Sequence, residues 1–270
     1  MPAMHLNYHR DGCYGDDRLV AFYRERARGG AGLVSIGGFA VDRAGAGVFK
    51  SLLLGLWSDD FIPDLRRLTS AMHGANPEVK VACQLYHTGR VSPSRLTGLQ
   101  PVGASPIQSR FNPEPIHVLT TEEVAALESR YVDAAIRARE AGFDCIDVFC
   151  GVGHLVAQFL SPVTNTRTDQ YGGSLENRAR FATNIVSSIR KALPGVPILV
   201  RLAGHDLLPG GNTHHEVSRV AGLLESAGAD AFNVTGGWHE SRTPQITGDV
   251  PTGAYAWLAE AIKSAVKVPV

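Results

Sequence analysis

The chain has 270 residues, of which 44% are hydrophobic and 19% charged, a composition suited to a globular protein with a large core. Lys plus Arg total 26 and Asp plus Glu total 26, so the net charge is zero and neither nucleic acid nor an anionic membrane is favoured as a partner. No apolar run approaches the ~20 residues of a membrane span, and a start carrying His5, His9 and Arg10 does not read as a secretory signal.

In chain order, residues 1–4 read as the end of a first strand. Gly30-Ala31-Gly32 then closes a helix before the apolar run Leu33-Val34-Ser35-Ile36. A helix is expected over residues 59–75 and a strand over 79–86. Residues 88–119 form a long loop rich in Pro, Gly, Ser and Arg, and a loop that long is more often functional than ornamental. Thr120-Thr121-Glu122-Glu123 is a capping box opening a helix. Its Val124, Leu127, Tyr131, Ala134 and Ala138 share one face. Ala141-Gly142 ends that helix, and a strand follows over 143–149. The alternation continues with a helix over 174–193, a strand over 197–202 and a helix at His214–Ala227. Ala227-Gly228 precedes a strand over 229–234, followed by a helix over 252–266 and a strand starting at Val268.

Such alternation implies a parallel sheet, either an open doubly wound one or a barrel, and the barrel is preferred. The expectation is one domain, residues 1–270, with a TIM (β/α)8 barrel fold. It would lack the last one or two βα units and part of the first strand, because the sequence stops as a strand begins.

In a parallel barrel, the residues ending each strand face the active-site mouth. Those ends are Gly37-Gly38, Gln84-Leu85-Tyr86-His87, Gly151-Val152-Gly153-His154, Arg201 and Gly236-Gly237-Trp238-His239. Glycines let a flat ligand approach the backbone. Gln84 can donate and accept at the edge of a pyrimidine-like ring, and Arg201 can hold negative charge on it. His154 and His239 are candidate proton donors, since imidazole titrates near neutral pH. Each has a plainer reading. Gln84 can cap a strand, Arg201 can pair with Asp206 or Glu216, the glycines can serve turns, and any one histidine can be a satisfied residue. Their coincidence at one end of successive strands favours a site.

Other chemistries find less support. Gly151-Val152-Gly153 lacks the third glycine of a dinucleotide fingerprint, and there is no P-loop lysine or H-E-x-x-H pair. Cys13, Cys83, Cys145 and Cys150 form no CxxC, so they read as reduced thiols of a cytoplasmic protein, with no metal site assembled from them. A rival of another class is a metal-dependent barrel hydrolase using His87, His154, His205 and His239. A barrel fragment without activity is a further one.

Residues 158–181, Gln158-Phe159-Leu160-Ser161-Pro162-Val163-Thr164-Asn165-Thr166-Arg167-Thr168-Asp169-Gln170-Tyr171-Gly172-Gly173-Ser174-Leu175-Glu176-Asn177-Arg178-Ala179-Arg180-Phe181, resemble the signature of the old yellow enzyme family of NADH:flavin oxidoreductases. Gln84-Leu85-Tyr86-His87-Thr88-Gly89-Arg90 and Val200-Arg201-Leu202 resemble its third- and fifth-strand motifs. Residues 237–244 and 250–257 are similar to the 2,4-dienoyl-CoA reductase and trimethylamine dehydrogenase-like branch. The resemblance covers essentially the whole chain.

It implies FMN at the strand ends, with NAD(P)H as electron donor. Pro2, Ala3 and Met4 would lie against the isoalloxazine, Gly37 beside it, and Gln84 and Arg201 on its polar edge. His239 would be the proton donor, and His154 stands where the reductase branch carries a tyrosine. Histidine ionises near ~6.5 and tyrosine near ~10, so the two acids differ above neutrality. Arg167, Trp238, Glu240 and Arg242 are expected toward the substrate, a small molecule such as an acyl-CoA or a methylated amine. The pair that grips enone oxygens in classical members is replaced by Phe149 and Val152, neither of which has a side-chain donor. A homo-oligomer is compatible with the family. The phosphate grip, and any iron–sulfur cluster and second flavin, are expected beyond Val270, so residues 1–270 alone should bind FMN weakly.

Overall fold

The computed structural model describes residues 1–243, 248 and 250–270; Pro244, the last residue of the 237–244 motif, falls outside them. The main sheet has six strands: β1 (Leu33–Ala40), β2 (Leu54–Gly55), β3 (Lys80–Tyr86), β4 (Cys145–Cys150), β5 (Ile198–Ala203) and β6 (Ala231–Thr235). Their order is β6-β5-β4-β3-β1-β2, and every pairing is parallel. The main helices that flank them in the chain are α1 (Asp17–Arg28), α2 (Ile62–Ala75), α3 (Thr121–Glu140), α4 (Leu155–Leu160), α5 (Leu175–Ala192), α6 (His214–Ala227) and α7 (Ala256–Lys263). Strands inside and helices outside make this a barrel of the TIM type.

Local chemistry explains the element ends. Thr120 accepts from the Glu123 N–H while the Glu123 carboxylate accepts from the Thr120 N–H, the capping box legible in the sequence. Thr213 and Glu216 repeat it at α6. Gly142 (φ 90°) and Gly228 (φ 114°) take the left-handed conformation as the chain leaves α3 and α6, which side chains resist. At Gly142 a Cβ would also meet Thr69 Oγ1 at 2.8 Å. That hydroxyl donates to Ala141 O at 2.6 Å, so α2 is tied to the turn that feeds β4.

Four expected elements differ. The helix expected over 59–75 starts at Ile62, preceded by a 3-10 turn at Asp59–Phe61, because Pro63 suits only the first turn of a helix. The last helix is shorter than 252–266. Residues 1–4 and 268–270 are not strands, although they run where strands were expected. Met1 O accepts from Ser35 N at 2.9 Å, and Pro269 O accepts from Phe232 N at 2.9 Å. Pro2 and Pro269 lack the N–H that would extend either ladder. No helix among the described residues is long and apolar enough to cross a membrane.

Candidate active site

The strand ends converge on a cavity of about 400 Å³. Pairing register puts its floor together. Asp147 on β4 lies opposite Gln84 on β3, and Phe149 lies opposite Arg201 on β5. Because side chains alternate along a strand, Asp147 and Phe149 share one face, and their partners share it too. Gln84 is buried and its Nε2 donates to Asp147 Oδ2 at 2.9 Å, which leaves Oε1 as the free acceptor. Ser35 Oγ donates to the same carboxylate oxygen at 2.7 Å. Burial raises the Asp147 pKa above the usual carboxylate range, against the opposing bonds from Ser35 and Gln84 and the charge of Arg201. Arg201 Nη1 donates to Ala3 O at 3.2 Å, and its buried Nε has no partner. Arg201 pairs with neither Asp206 nor Glu216 among the described ion pairs.

The glycines Gly37 and Gly38 line the cavity and also make room for the neighbouring strand. A Cβ on Gly37 would fall 2.6 Å from the Gln84 Cβ, and one on Gly38 would fall 2.6 Å from the Tyr86 ring. Both are therefore needed by the side chains of β3 itself. Pro2, Ala3 and Met4 line the cavity from the N-terminal side. Tyr86 stacks on Phe149 at 4.4 Å and makes an aromatic wall.

Above this floor stand two histidines, with ring centroids 5.6 Å apart. His154 caps the start of α4, is buried, and has no partner on either ring nitrogen. Burial, and then the neighbouring His239, hold its pKa well below the ordinary histidine value. Burial also lowers the pKa of His239, while the Glu240 carboxylate opposes the shift. Both rings are thus mainly neutral at pH 7. Val152, in the same cavity lining, has φ 48°, an unusual conformation for a β-branched residue. Its carbonyl accepts from His239 N at 3.3 Å.

The structure brings together Pro2, Ala3, Met4, Gly37, Gln84, Arg201, His154 and His239. It places the four expected substrate residues elsewhere. Arg167 bonds Asp169 and the carbonyls of Ala104 and Leu119, which engages its whole guanidinium. Trp238 is fully buried and donates from Nε1 to Asp206 at 2.8 Å. Glu240 is held by Arg90, Ser109 and Arg110. Arg242 is exposed and outside the cavity lining. The four histidines of the rival hydrolase are not gathered into one ligand set, since no group of three or more metal-ligating side chains exists among the described residues. His87 is buried away with its pKa down to about 3, and His205 accepts from Leu207 N.

Sequence reasoning missed Asp147, although an acid inside Cys145-Ile146-Asp147-Val148-Phe149-Cys150 was a readable signal. A larger groove of about 640 Å³ has Asp42 paired with Arg130 and Arg137 paired with Asp59.

Comparison with known proteins decides what this arrangement belongs to. The model of the NADH:flavin oxidoreductase / NADH oxidase family matches residues 1–270. The chain belongs to this family. A metal reductase from Desulforamulus reducens is 45% identical over 271 residues, covering 100% of this chain and 40% of the relative. A 2-naphthoyl-CoA reductase in complex with 2-naphthoyl-CoA superposes with a TM-score of 0.90 at 33% identity, over 99% of this chain and 43% of that one. Histamine dehydrogenase from Rhizobium sp. 4-9 superposes at 0.84 and 28% identity, over 96% of this chain and 38% of that one. The chain therefore spans about two fifths of these relatives.

FMN is the flavin of this family, and the floor suits it. The orphaned Arg201 Nε is a donor and the free Gln84 Oε1 an acceptor lining one cavity, a pairing of groups that complements the imide edge of a flavin.

Proposed function

We propose that this chain is the FMN barrel of a cytoplasmic oxidoreductase that reduces an enoyl C=C bond of an acyl-CoA, in the manner of 2,4-dienoyl-CoA reductase. The observation that carries the reading is the facing of Gln84 and Arg201 by a histidine pair across one cavity. FMN bound there supplies a hydride at N5, replenished from NAD(P)H. Gln84 and Arg201 hold and orient its polar edge. Tyr86 and Phe149 keep water from one side of the site. His239, when protonated, transfers its proton from a ring nitrogen to the carbon neighbouring the one that receives hydride, and is then recharged from solvent. His154 donates a hydrogen bond from its neutral ring.

A second reading is favoured by the lowered pKa of both histidines. A neutral imidazole is ready to accept a proton, as oxidation of a methylated amine requires. The structural likeness to histamine dehydrogenase supports it.

The test uses full-length, flavin-loaded protein in stopped flow, with enoyl-CoA esters, N-methyl amines and a soluble metal-ion acceptor as separate arms. Reoxidation of the reduced flavin by a dienoyl-CoA at a rate matching turnover is the expected result. Bleaching of the oxidised flavin by an amine, with no reaction toward any enoyl-CoA, would reject the first reading in favour of the second. Reoxidation by the metal ion alone would reject both.

A further inference from the structure

We propose that Glu240 is a positioning residue that clamps the loop following β3 onto the turn carrying His239, and so holds that imidazole over the cavity. This rests on the role given to His239 above. The Glu240 carboxylate is almost wholly committed to a segment far away in sequence. Its Oε2 pairs with Arg90 Nη2, and its Oε1 accepts from Ser109 Oγ at 2.6 Å and from Arg110 N at 3.1 Å. The Arg90 and Glu240 side chains are only 5% and 14% exposed. Arg90 Nη1 also donates to Ile107 O at 3.2 Å and Gln108 O at 2.7 Å, so the guanidinium is fixed on the loop side. Arg110 Nη2 donates to His239 O at 3.0 Å, which closes a second tie one residue away.

On the other side, Trp238 is anchored by Asp206 through both its backbone N–H and its indole N–H. His239 thus lies between two fixed neighbours, and its own N–H is held by Val152. A side chain placed in this way keeps one geometry, and a shift of about an ångström at a reacting group can cost ~100-fold in rate. A half-broken buried ion pair is strongly destabilising, so one partner cannot leave without disturbing the other.

The clamp has an electrostatic consequence as well. Arg90 and Arg110 on the loop and Arg201 and His154 in the cavity lining are the other ionisable groups around this turn, and it is burial that disfavours an imidazolium at His239. Glu240 is the carboxylate beside His239 that favours one.

The test compares Glu240→Ala, Glu240→Gln and Ser109→Ala in the full-length, flavin-loaded protein. It reads the rate constant for flavin reoxidation by substrate, its split into kcat and KM, and the His239 titration by NMR. In Glu240→Ala, kcat for reoxidation should fall about tenfold to a hundredfold. The His239 midpoint should move down in both Glu240 variants. Glu240→Gln keeps an oxygen for Ser109 and Arg110 N but loses the charge, and should be intermediate in rate. Ser109→Ala removes the bond to Glu240, along with the one that Ser109 Oγ accepts from Phe111 N, without stranding a charge; it should lower kcat modestly, and it decides the matter if Glu240→Ala does not fold. Wild-type kcat and an unmoved His239 midpoint in the folded variants overturn the proposal. If His239→Ala itself leaves reoxidation at the wild-type rate, the role of His239 fails instead, and the two failures are told apart.

Discussion

The floor and the rim of the cavity are built by different means. Gln84, Asp147 and Arg201 sit on three adjacent strands, and their mutual positions follow from the β3–β4–β5 pairing register. A one-residue slip would turn every side chain of a strand to the opposite face, so the floor is fixed by the same packing that fixes the barrel. His239 sits on a turn after β6, and what holds it is polar contact between loops: Glu240 with Arg90, and Arg110 with the His239 carbonyl. The floor should therefore govern whether flavin is held. The rim should govern what happens to substrate.

The largest effect that would sharpen this division is on the rim. His239→Ala should slow flavin reoxidation by substrate by about 10²–10⁴-fold, the usual worth of a positioned acid–base group. Flavin affinity should stay near wild type in the same variant. Arg201→Leu should do the reverse, lowering FMN affinity by about tenfold to a hundredfold through loss of charge-assisted hydrogen bonds. Stopped-flow reoxidation and fluorescence titration with FMN measure the two. Similar losses of both properties in both variants would break the division.

The pH dependence comes next in size. The group in question is His239, whose folded pKa lies below 6.5 because burial outweighs the help from Glu240. A step that needs imidazolium is fully active below that pKa and is lost as pH rises through it. Enoyl reduction limited by proton transfer should therefore fall with rising pH, with a midpoint on the acid side of 6.5. Amine oxidation, which needs the neutral ring, should rise through the same midpoint. A pH series of single-turnover rates gives the sign, and a flat profile in either direction removes His239 from the proton path.

How far each region was legible follows from the same contrast. Gln84 and Arg201 could be placed from sequence because strand runs are short and bounded by turn signals, so their ends mark one rim of the barrel. His154 and His239 were found in the same way. Arg167, Trp238 and Glu240 were expected at the substrate and proved to be internal supports. A charged or aromatic residue beside a catalytic one looks alike in sequence whether it faces the ligand or the next loop. Only the fold shows that Ser109 and Arg110 lie against Glu240, 131 and 130 residues away in sequence. The strand expected over 1–4 failed for a local reason, the missing N–H of Pro2. Asp147 was overlooked because an acid in a strand centre reads as an exception to be ignored, whereas in a barrel interior it must have a partner.

The smallest expected effect tests the floor most closely. A carboxylate can only accept, so Asp147 obliges Gln84 to turn Nε2 toward it and Oε1 toward the cavity. An asparagine in its place offers a donor as well as an acceptor, which lets the Gln84 amide turn over. The turned amide would present Nε2 to a flavin N–H, donor facing donor. Asp147→Asn should thus weaken FMN binding by about threefold to tenfold, the net worth of one hydrogen bond. Calorimetric titration of the full-length protein with FMN measures it, and Asp147→Leu, which removes the donor along with the charge, serves as the companion variant. If Asp147→Asn binds FMN as tightly as wild type, then Ser35 and the strand register alone must orient Gln84. The floor would then be set by packing without help from its buried charge, a still sharper contrast with the ion-paired rim.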